Sequence, residues 1–172
     1  RLPLVLAGIP QASEVLLYEG LPGDFWEPKL LERELKQKKS IKLHGYPFYE
    51  ELLTLQGTDS EKLTALFSAE DSFRPFSSAK QCGGYHPDYC VEWKTSGGVT
   101  QALICLECGE VKMYESQYDL HCDFSKEAKQ KIEQLLGPYQ KNRPVPKSSQ
   151  RGLPPRIRQR SIRWRIHAVS RS

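Results

Sequence analysis

The sequence predicts an α+β fold, in which an antiparallel β meander carries about three helices and a disordered basic tail follows. Three observations predict it. Apolar residues recur at helical spacing in three segments, the stretch from 89 to 122 alternates at strand spacing, and no acidic residue follows Glu133. We expect residues 1–13 to be a signal-peptide remnant or a packed arm, 14–139 a single domain, and 140–172 the tail.

The sequence of the first half of the domain predicts four elements. They are a strand at residues 15–18, a helix at 27–38, an interrupted strand at 41–55 and a second helix at 58–69. Pro28 suits the first turn of its helix, where a missing N–H costs nothing. Gly45 and Pro47 interrupt the strand-like segment. Thr58 and Glu61 have the spacing of a capping box, so we expect the Thr58 side chain to begin the second helix.

The second half predicts a loop at 72–81, two hairpins and a final helix. The loop carries Phe73 and Phe76. The hairpin strands are predicted at residues 89–94, 99–105, 111–115 and 118–122. We expect Ser125 to cap the final helix, which buries Ala128, Ile132, Leu135 and Leu136 and ends at Gly137.

Charge divides the chain into two unlike parts. All 21 acids lie at or before Glu133, and ten of the 25 Lys and Arg lie between Lys141 and Arg171, so the body carries −6 and the tail +10. The body gives no charge reason to bind nucleic acid. The tail could contact anionic partners: RNA, anionic lipid or the acidic body. The alternative to such binding is a disordered tail, or a segment that is not native to the domain.

The N-terminal residues suggest export. Arg1, a short apolar run and small residues up to Ser13 resemble the back half of a secretory signal, and the chain lacks an initiator Met, so it could be a fragment. An apolar arm packed on the domain is the alternative. No apolar run reaches the length of about 18 residues that a membrane helix needs. We expect an extracytoplasmic location.

All five cysteines and two of the four histidines lie between Cys82 and Cys122. The CxxC pair Cys105 and Cys108, with Gly109 after it, has the spacing of a zinc knuckle. A second pair is needed, and the candidates are Cys82 with His86, or His121 with Cys122. The predicted Zn²⁺ ligands are Cys105 and Cys108, with Cys82 and either Cys122 or His86 completing the site. A closed tetrahedral site would be structural.

Disulfides and redox chemistry explain the same residues. An exported chain is expected to form disulfides, with Cys90 as the odd thiol and Cys105–Cys122, or Cys82 with either, as candidate pairs. A thiol-redox enzyme or sensor using Cys105 and Cys108 is the rival function. The helix start that usually activates such a pair is missing, so we expect a binding or structural domain more than an enzyme.

Several motifs resemble a set of small bacterial proteins of unassigned function, many of them exported or lipoprotein-like. The motifs are the segment 73–76, Cys82-Gly-Gly-Tyr-His-Pro-Asp-Tyr89, and the segment 103–110 around Cys105 and Cys108. The similarity extends back to His44 and forward to Arg143, without the basic tail. The resemblance implies an α+β domain and export, and it implies no activity.

Overall fold

The computed structural model describes residues 2–77 and 84–144. Over these residues the chain forms four α-helices and one antiparallel sheet of eight strands. The helices are α1 (Leu2–Leu6), α2 (Pro28–Gln37), α3 (Asp59–Ser68) and α4 (Lys126–Leu136). The strands are β1 (Glu14–Gly20), β2 (Ser40–Leu43), β3 (Tyr46–Leu53), β4 (Phe73–Pro75), β5 (Tyr89–Thr95), β6 (Gly98–Cys105), β7 (Glu110–Glu115) and β8 (Tyr118–Phe124). The α+β class is confirmed, with four helices rather than about three.

The sheet order is β2-β3-β1-β5-β6-β7-β8-β4. The predicted hairpins form the meander β5 to β8, and β1 joins it to the hairpin of β2 and β3. The loop predicted at 72–81 is wrong at its start, because β4 pairs with β8 and forms one edge of the sheet. Three residues are too short a run for alternation to be visible in the sequence.

The main core lies between the sheet and helices α1, α3 and α4. Trp93 and Ile104 of the sheet are fully buried there, against Leu63 of α3 and Ile132 of α4. Residues 2–11 belong to this core, since Val5 is fully buried, as is Ile9 in the short 3₁₀ turn that follows α1. This burial is what the packed-arm alternative predicts for the N-terminus.

The opposite face of the sheet carries a smaller cluster around Phe48, Cys90 and Leu103. Tyr85 lies across this face, and its hydroxyl donates to the Leu103 carbonyl and accepts the N–H of Lys112. The Lys112 ammonium lies 4.3 Å from the centre of the Tyr85 ring. Tyr85 therefore fixes the segment that leads from residue 84 into β5 against β6 and β7.

Two helix starts behave differently. The Ser125 hydroxyl accepts the N–H of Ala128 at 3.3 Å, so the predicted cap of α4 is confirmed. The predicted capping role of the Thr58 side chain is wrong, because it makes no capping hydrogen bond to α3. Thr58 has φ −95° and ψ 15°, whereas an N-cap normally has the extended conformation seen at Ser125.

Two predictions concern residues that the structure does not describe. The basic tail from residue 145 on lies outside the described residues, as does Cys82. Within the described ranges, none of the helices has the length and apolar character needed to cross a membrane.

Candidate functional site

Cys105 and Cys108 lie at the tight turn between β6 and β7, which we call the knuckle (residues 105–109). Cys105 ends β6 and is 2% exposed, and Cys108 is 7% exposed. Cys108 is disulfide-bonded. Cys90, Cys105 and Cys122 are free thiols.

The knuckle has the backbone geometry that its sequence predicts. The Gly109 N–H donates to the Leu106 carbonyl at 3.1 Å, which closes the turn. Gly109 has φ +65°, a conformation that glycine adopts without the steric cost of a side chain. The turn thus presents Cys105 and Cys108 to a small cleft that His86 also lines.

His86 reaches the same cleft from the segment before β5. Its Nε2 lies 2.7 Å from the carbonyl oxygen of Leu21. Because a carbonyl only accepts, Nε2 carries the proton, and in the neutral ring the lone pair is on Nδ1. Nδ1 lies 3.9 Å from an Asp88 carboxylate oxygen. A ligating histidine commonly donates its second N–H to a backbone carbonyl in this way.

Asp88 connects the knuckle to two other parts of the chain. One carboxylate oxygen accepts the N–H of Leu106 at 2.7 Å, and the other accepts the Arg143 guanidinium at 2.8 Å. Arg143 also donates to Glu27 at 2.8 Å. Burial alone would lower the pKa of Arg143, but its bonds to these two carboxylates outweigh burial and raise the pKa. The guanidinium therefore remains charged inside the cleft.

Arg143 is held there by a segment that we call the strap (residues 139–143). Glu19 of β1 is 1% exposed, and its carboxylate accepts the backbone N–H groups of three consecutive strap residues. The distances are 3.1 Å to Lys141, 2.7 Å to Asn142 and 3.0 Å to Arg143. A buried carboxylate needs such partners, because burial without them is strongly unfavourable.

Gly20 allows the segment that carries His86 and Asp88 to approach β1. A Cβ atom at Gly20 would lie 2.1 Å from the Pro87 carbonyl oxygen, which is backbone and cannot swing away. The Gly20 N–H donates to the Asp88 carbonyl at 2.7 Å. The missing side chain thus brings the histidine and the aspartate to the knuckle.

The structure does not bring Cys122 to this cleft. Cys122 pairs with Val111 in the sheet and packs in the main core on the helix side. Cys105 lies on the opposite face, because it is two residues from Leu103 of the smaller cluster. The proposed Cys105–Cys122 pair also assumed neighbouring strands, whereas β7 lies between β6 and β8.

Cys90 and His121 are not among the residues that line the cleft. Cys90 is fully buried in the smaller cluster, and burial raises the pKa of its thiol. His121 faces away from Cys122, and it stacks on Phe76 and pairs with Glu110 at 2.9 Å. Within residues 2–77 and 84–144, no three His, Cys, Asp or Glu side chains form a metal-binding group. Cys105, Cys108 and His86 line the cleft, but they do not form such a group, and Cys108 is already disulfide-bonded.

The cleft itself is small. It contains about 60 Å³ of water-accessible volume, whereas small-molecule sites usually enclose roughly 300–1,000 Å³. Phe25 and Trp26 line the cleft and are 64% and 66% exposed, with their rings edge to face at 4.8 Å. The cleft suits an ion or a small group better than an organic substrate.

Burial opposes activation of the free thiol. The pKa of Cys105 is raised, chiefly because burial disfavours the thiolate, while the N–H donors of His86 and Cys108 act in the opposite direction. Catalytic and redox-sensing thiols usually have a lowered pKa. Burial thus favours the neutral form of the Cys105 thiol.

A much larger open groove of about 880 Å³ lies between α3 and strands β1 and β3. Its lining contains Leu53, Thr64 and Ser68, but neither cysteine nor histidine. On the other face, His44 has φ +48°, stacks on Tyr114 at 3.5 Å and bonds to Gln101 at 2.6 Å. His44 is thus exposed, and it has partners on this face.

Three charged residues of the cleft are not predicted as site residues from the sequence. Glu19, Asp88 and Arg143 meet only in the folded chain, and Arg143 lies in the segment predicted as tail. The Gly-Tyr-His-Pro-Asp run before β5 was the available signal, because it places a carboxylate two residues from a candidate ligand.

Comparison with known protein families, curated proteins and solved structures finds no match for this chain.

Proposed function

We propose that this chain is a binding or structural domain whose cleft holds a structural zinc ion. The proposed ligands are Cys105, Cys108 and His86 from the described residues, with Cys82 as the fourth. Three thiolates and one imidazole form a common closed zinc site. Cys122 is left out of the proposal because its side chain lies on the other face of the sheet.

One observation carries the proposal. Cys105, Cys108 and His86 line one small cleft, and the two cysteines belong to a tight turn that ends in a glycine with φ +65°. Two thiolates three residues apart at such a turn can bind one ion. The protonated Nε2 of His86 supports the proposal, because it leaves Nδ1 as the candidate ligand.

A metal assay tests this directly. The fully reduced chain is incubated with Zn²⁺, desalted and analysed for bound zinc by mass spectrometry. We expect one ion per wild-type chain and none in Cys105→Ala. Cys122→Ala is the matched control, since it also removes a buried free thiol, and it should retain the ion. Chelation should lower the melting temperature of the wild type, because a structural ion contributes to folding.

The proposal fails if the reduced wild type binds no zinc, or if the two alanine variants lose it equally. Thiol counting under denaturant, on the chain purified without reductant, then separates the alternatives. A metal-loaded chain should release all five cysteine thiols after chelation. A chain with one disulfide should show three.

The disulfide at Cys108 favours a second candidate, a structural or redox-active disulfide in place of the ion. Cys82 is the partner we propose, because the other three cysteines are free thiols. A redox pair would cycle at a biological potential, whereas a structural disulfide would resist reduction by glutathione. Measuring the fraction of reduced chain across defined glutathione buffers distinguishes these two.

We also propose that the domain acts outside the cytoplasm. The support is the resemblance of its motifs to exported bacterial proteins and the disulfide at Cys108, since such bonds persist in oxidising compartments. Expression with and without an export signal, followed by thiol counting, tests it. Equal oxidation in both compartments would contradict it.

A further inference from the structure

We propose that an exposed aromatic turn and the outward side of α2 form a surface that docks on an anionic lipid bilayer. We call this surface the docking patch, and it consists of Phe25, Trp26, Lys29, Arg33 and Lys36. Its docking is independent of the zinc ion. The folded body thus gains a partner that the sequence suggests only for the basic tail.

The apolar part of the docking patch is the pair Phe25 and Trp26. They are the most exposed of the large apolar side chains that the structure describes. Their rings meet edge to face at 4.8 Å, so they form one continuous apolar surface. Water hydrates such a surface unfavourably, and exposed apolar patches commonly mark the place where a partner or a membrane is bound.

The turn that carries the two rings is fixed at both ends. The Glu27 N–H donates to the Gly23 carbonyl at 2.9 Å and closes the turn. On the N-terminal side, Leu21 is fully buried and its carbonyl bonds to His86 at 2.7 Å. On the C-terminal side, the Glu27 carboxylate accepts the Arg143 guanidinium at 2.8 Å. The body therefore holds the rings in an outward position, and their docking needs little further ordering.

Helix α2 follows this turn and presents a basic side to solvent. Glu34 marks the inward side, because it is buried and its carboxylate accepts the Tyr49 hydroxyl at 3.1 Å. Lys29, Arg33 and Lys36 recur at spacings of four and three residues, so they share another side of the helix. All three are exposed, although Arg33 also pairs with Glu34 at 3.3 Å. The basic stripe begins in the first turn of α2, directly after the aromatic pair.

Charge sets α2 apart from the rest of the body. Residues 28–39 contain five Lys and Arg against two Glu, whereas the body up to Pro138 carries −6. Lys36 pairs with Glu32 at 2.6 Å, but both side chains are exposed, and such pairs bind weakly. Anionic headgroups attract a local cluster of cations and repel an acidic surface. This complementarity turns the docking patch toward the bilayer and the acidic remainder away from it.

Three features favour lipid over a nucleic acid or a protein. The rings of Phe25 and Trp26 are nearly perpendicular, at 85°, so they do not offer the parallel faces on which successive bases stack. Four of the five cations in residues 28–39 are lysines, which are depleted in protein–protein interfaces. Leu35 of the same helix is exposed as well. Lysine combined with Trp, Phe and Leu is typical of helices that lie at a membrane surface.

The experiment measures binding of the full chain to vesicles that contain equal parts of phosphatidylglycerol and phosphatidylcholine. Trp164 of the basic tail is changed to Phe in every protein, so that the only tryptophans are Trp26 and the fully buried Trp93. We expect brominated acyl chains to quench Trp26. We expect Phe25→Ala to weaken binding at least about tenfold, because a bilayer buries the exposed ring. Leu4→Ala is the matched control, since Leu4 is exposed elsewhere on the body, and it should bind like the parent.

The basic stripe is tested by changing Lys29 and Lys36 together to Gln. This variant should bind the anionic vesicles more weakly than the parent, and its binding should depend less on salt. Changing Lys126 and Lys131 of α4 to Gln is the matched control, because it removes the same charge from two exposed positions on another helix. The control should retain most of the binding. Vesicles of phosphatidylcholine alone should bind the parent much more weakly.

Four results would overturn the docking patch. The parent chain could fail to bind the anionic vesicles. It could bind them without quenching of Trp26 and without loss in Phe25→Ala, which would leave the tail as the only contact with lipid. Equal losses in the two double-lysine variants would reduce the effect to net charge. Quenching of Trp26 by a poly-uridine strand, but not by brominated lipid, would identify a nucleic acid as the partner instead.

Discussion

Tyr89 shows how burial at one residue makes stability depend on pH. It is 4% exposed at the start of β5, and its pKa is raised, chiefly by burial and further by the negative charge of Glu19. In the unfolded chain the phenol ionises near its ordinary value of about 10. Above that pH the unfolded state loses a proton that the folded state keeps, so stability falls as pH rises.

We therefore expect the free energy of unfolding of Tyr89→Phe to fall less steeply than that of the wild type as the pH rises above about 10. Above pH of about 10, the wild type should lose up to about 1.4 kcal/mol more per pH unit than the variant, because Phe has no proton to lose. Urea unfolding between pH 7 and pH 11 measures this. The difference between the two proteins should stay constant below pH 9. Parallel curves up to pH 11 would contradict the burial argument.

Single residues also show which part of the site was predictable. Cys105, Cys108 and Gly109 are adjacent in sequence, so their spacing alone predicted the turn. Asp88 and Arg143 are 55 residues apart, and their pairing depends on how the strap crosses β1. Cys122 was misplaced for the same reason, since the face of the sheet it occupies depends on the register of β7 and β8.

The N-termini of α4 and α3 allow a matched test of how much a side-chain cap stabilises a helix. Ser125→Ala should cost about 1 kcal/mol, because it removes the hydroxyl that accepts the Ala128 N–H. Thr58→Ala should cost clearly less, because the Thr58 side chain makes no capping bond. Chemical denaturation of both variants gives the comparison. Equal losses would mean that Thr58 caps α3 in solution.

Elements with a clear period were predicted well, and irregular ones were not. The four strands of the meander alternate over six to eight residues, which is enough to show the pattern. The short helix α1 has five residues and reads equally well as the end of an apolar leader. Its helical form depends on packing against the main core, and a local sequence pattern does not show such packing.

At the scale of the whole molecule, the N-terminal segment is part of the core that the later strands build. Ile9→Ala should cost roughly 2–4 kcal/mol, as truncation of a buried isoleucine usually does. Leu4→Ala is the control on the same segment, because Leu4 is 55% exposed and should change stability by less than about 0.5 kcal/mol. Thermal unfolding measures both variants. A small effect at Ile9 would indicate that this segment leaves the core easily.

Glu19 has a consequence for the order in which this chain becomes a domain. The acid lies in an interior strand near the start of the sequence, while its three donors lie more than 120 residues later. On the ribosome, the early strand emerges long before its donors are made. Until then the carboxylate must keep its water, because its burial without those donors is strongly unfavourable. The Glu19 carboxylate can therefore exchange its water for protein donors only after residue 143 has left the exit tunnel.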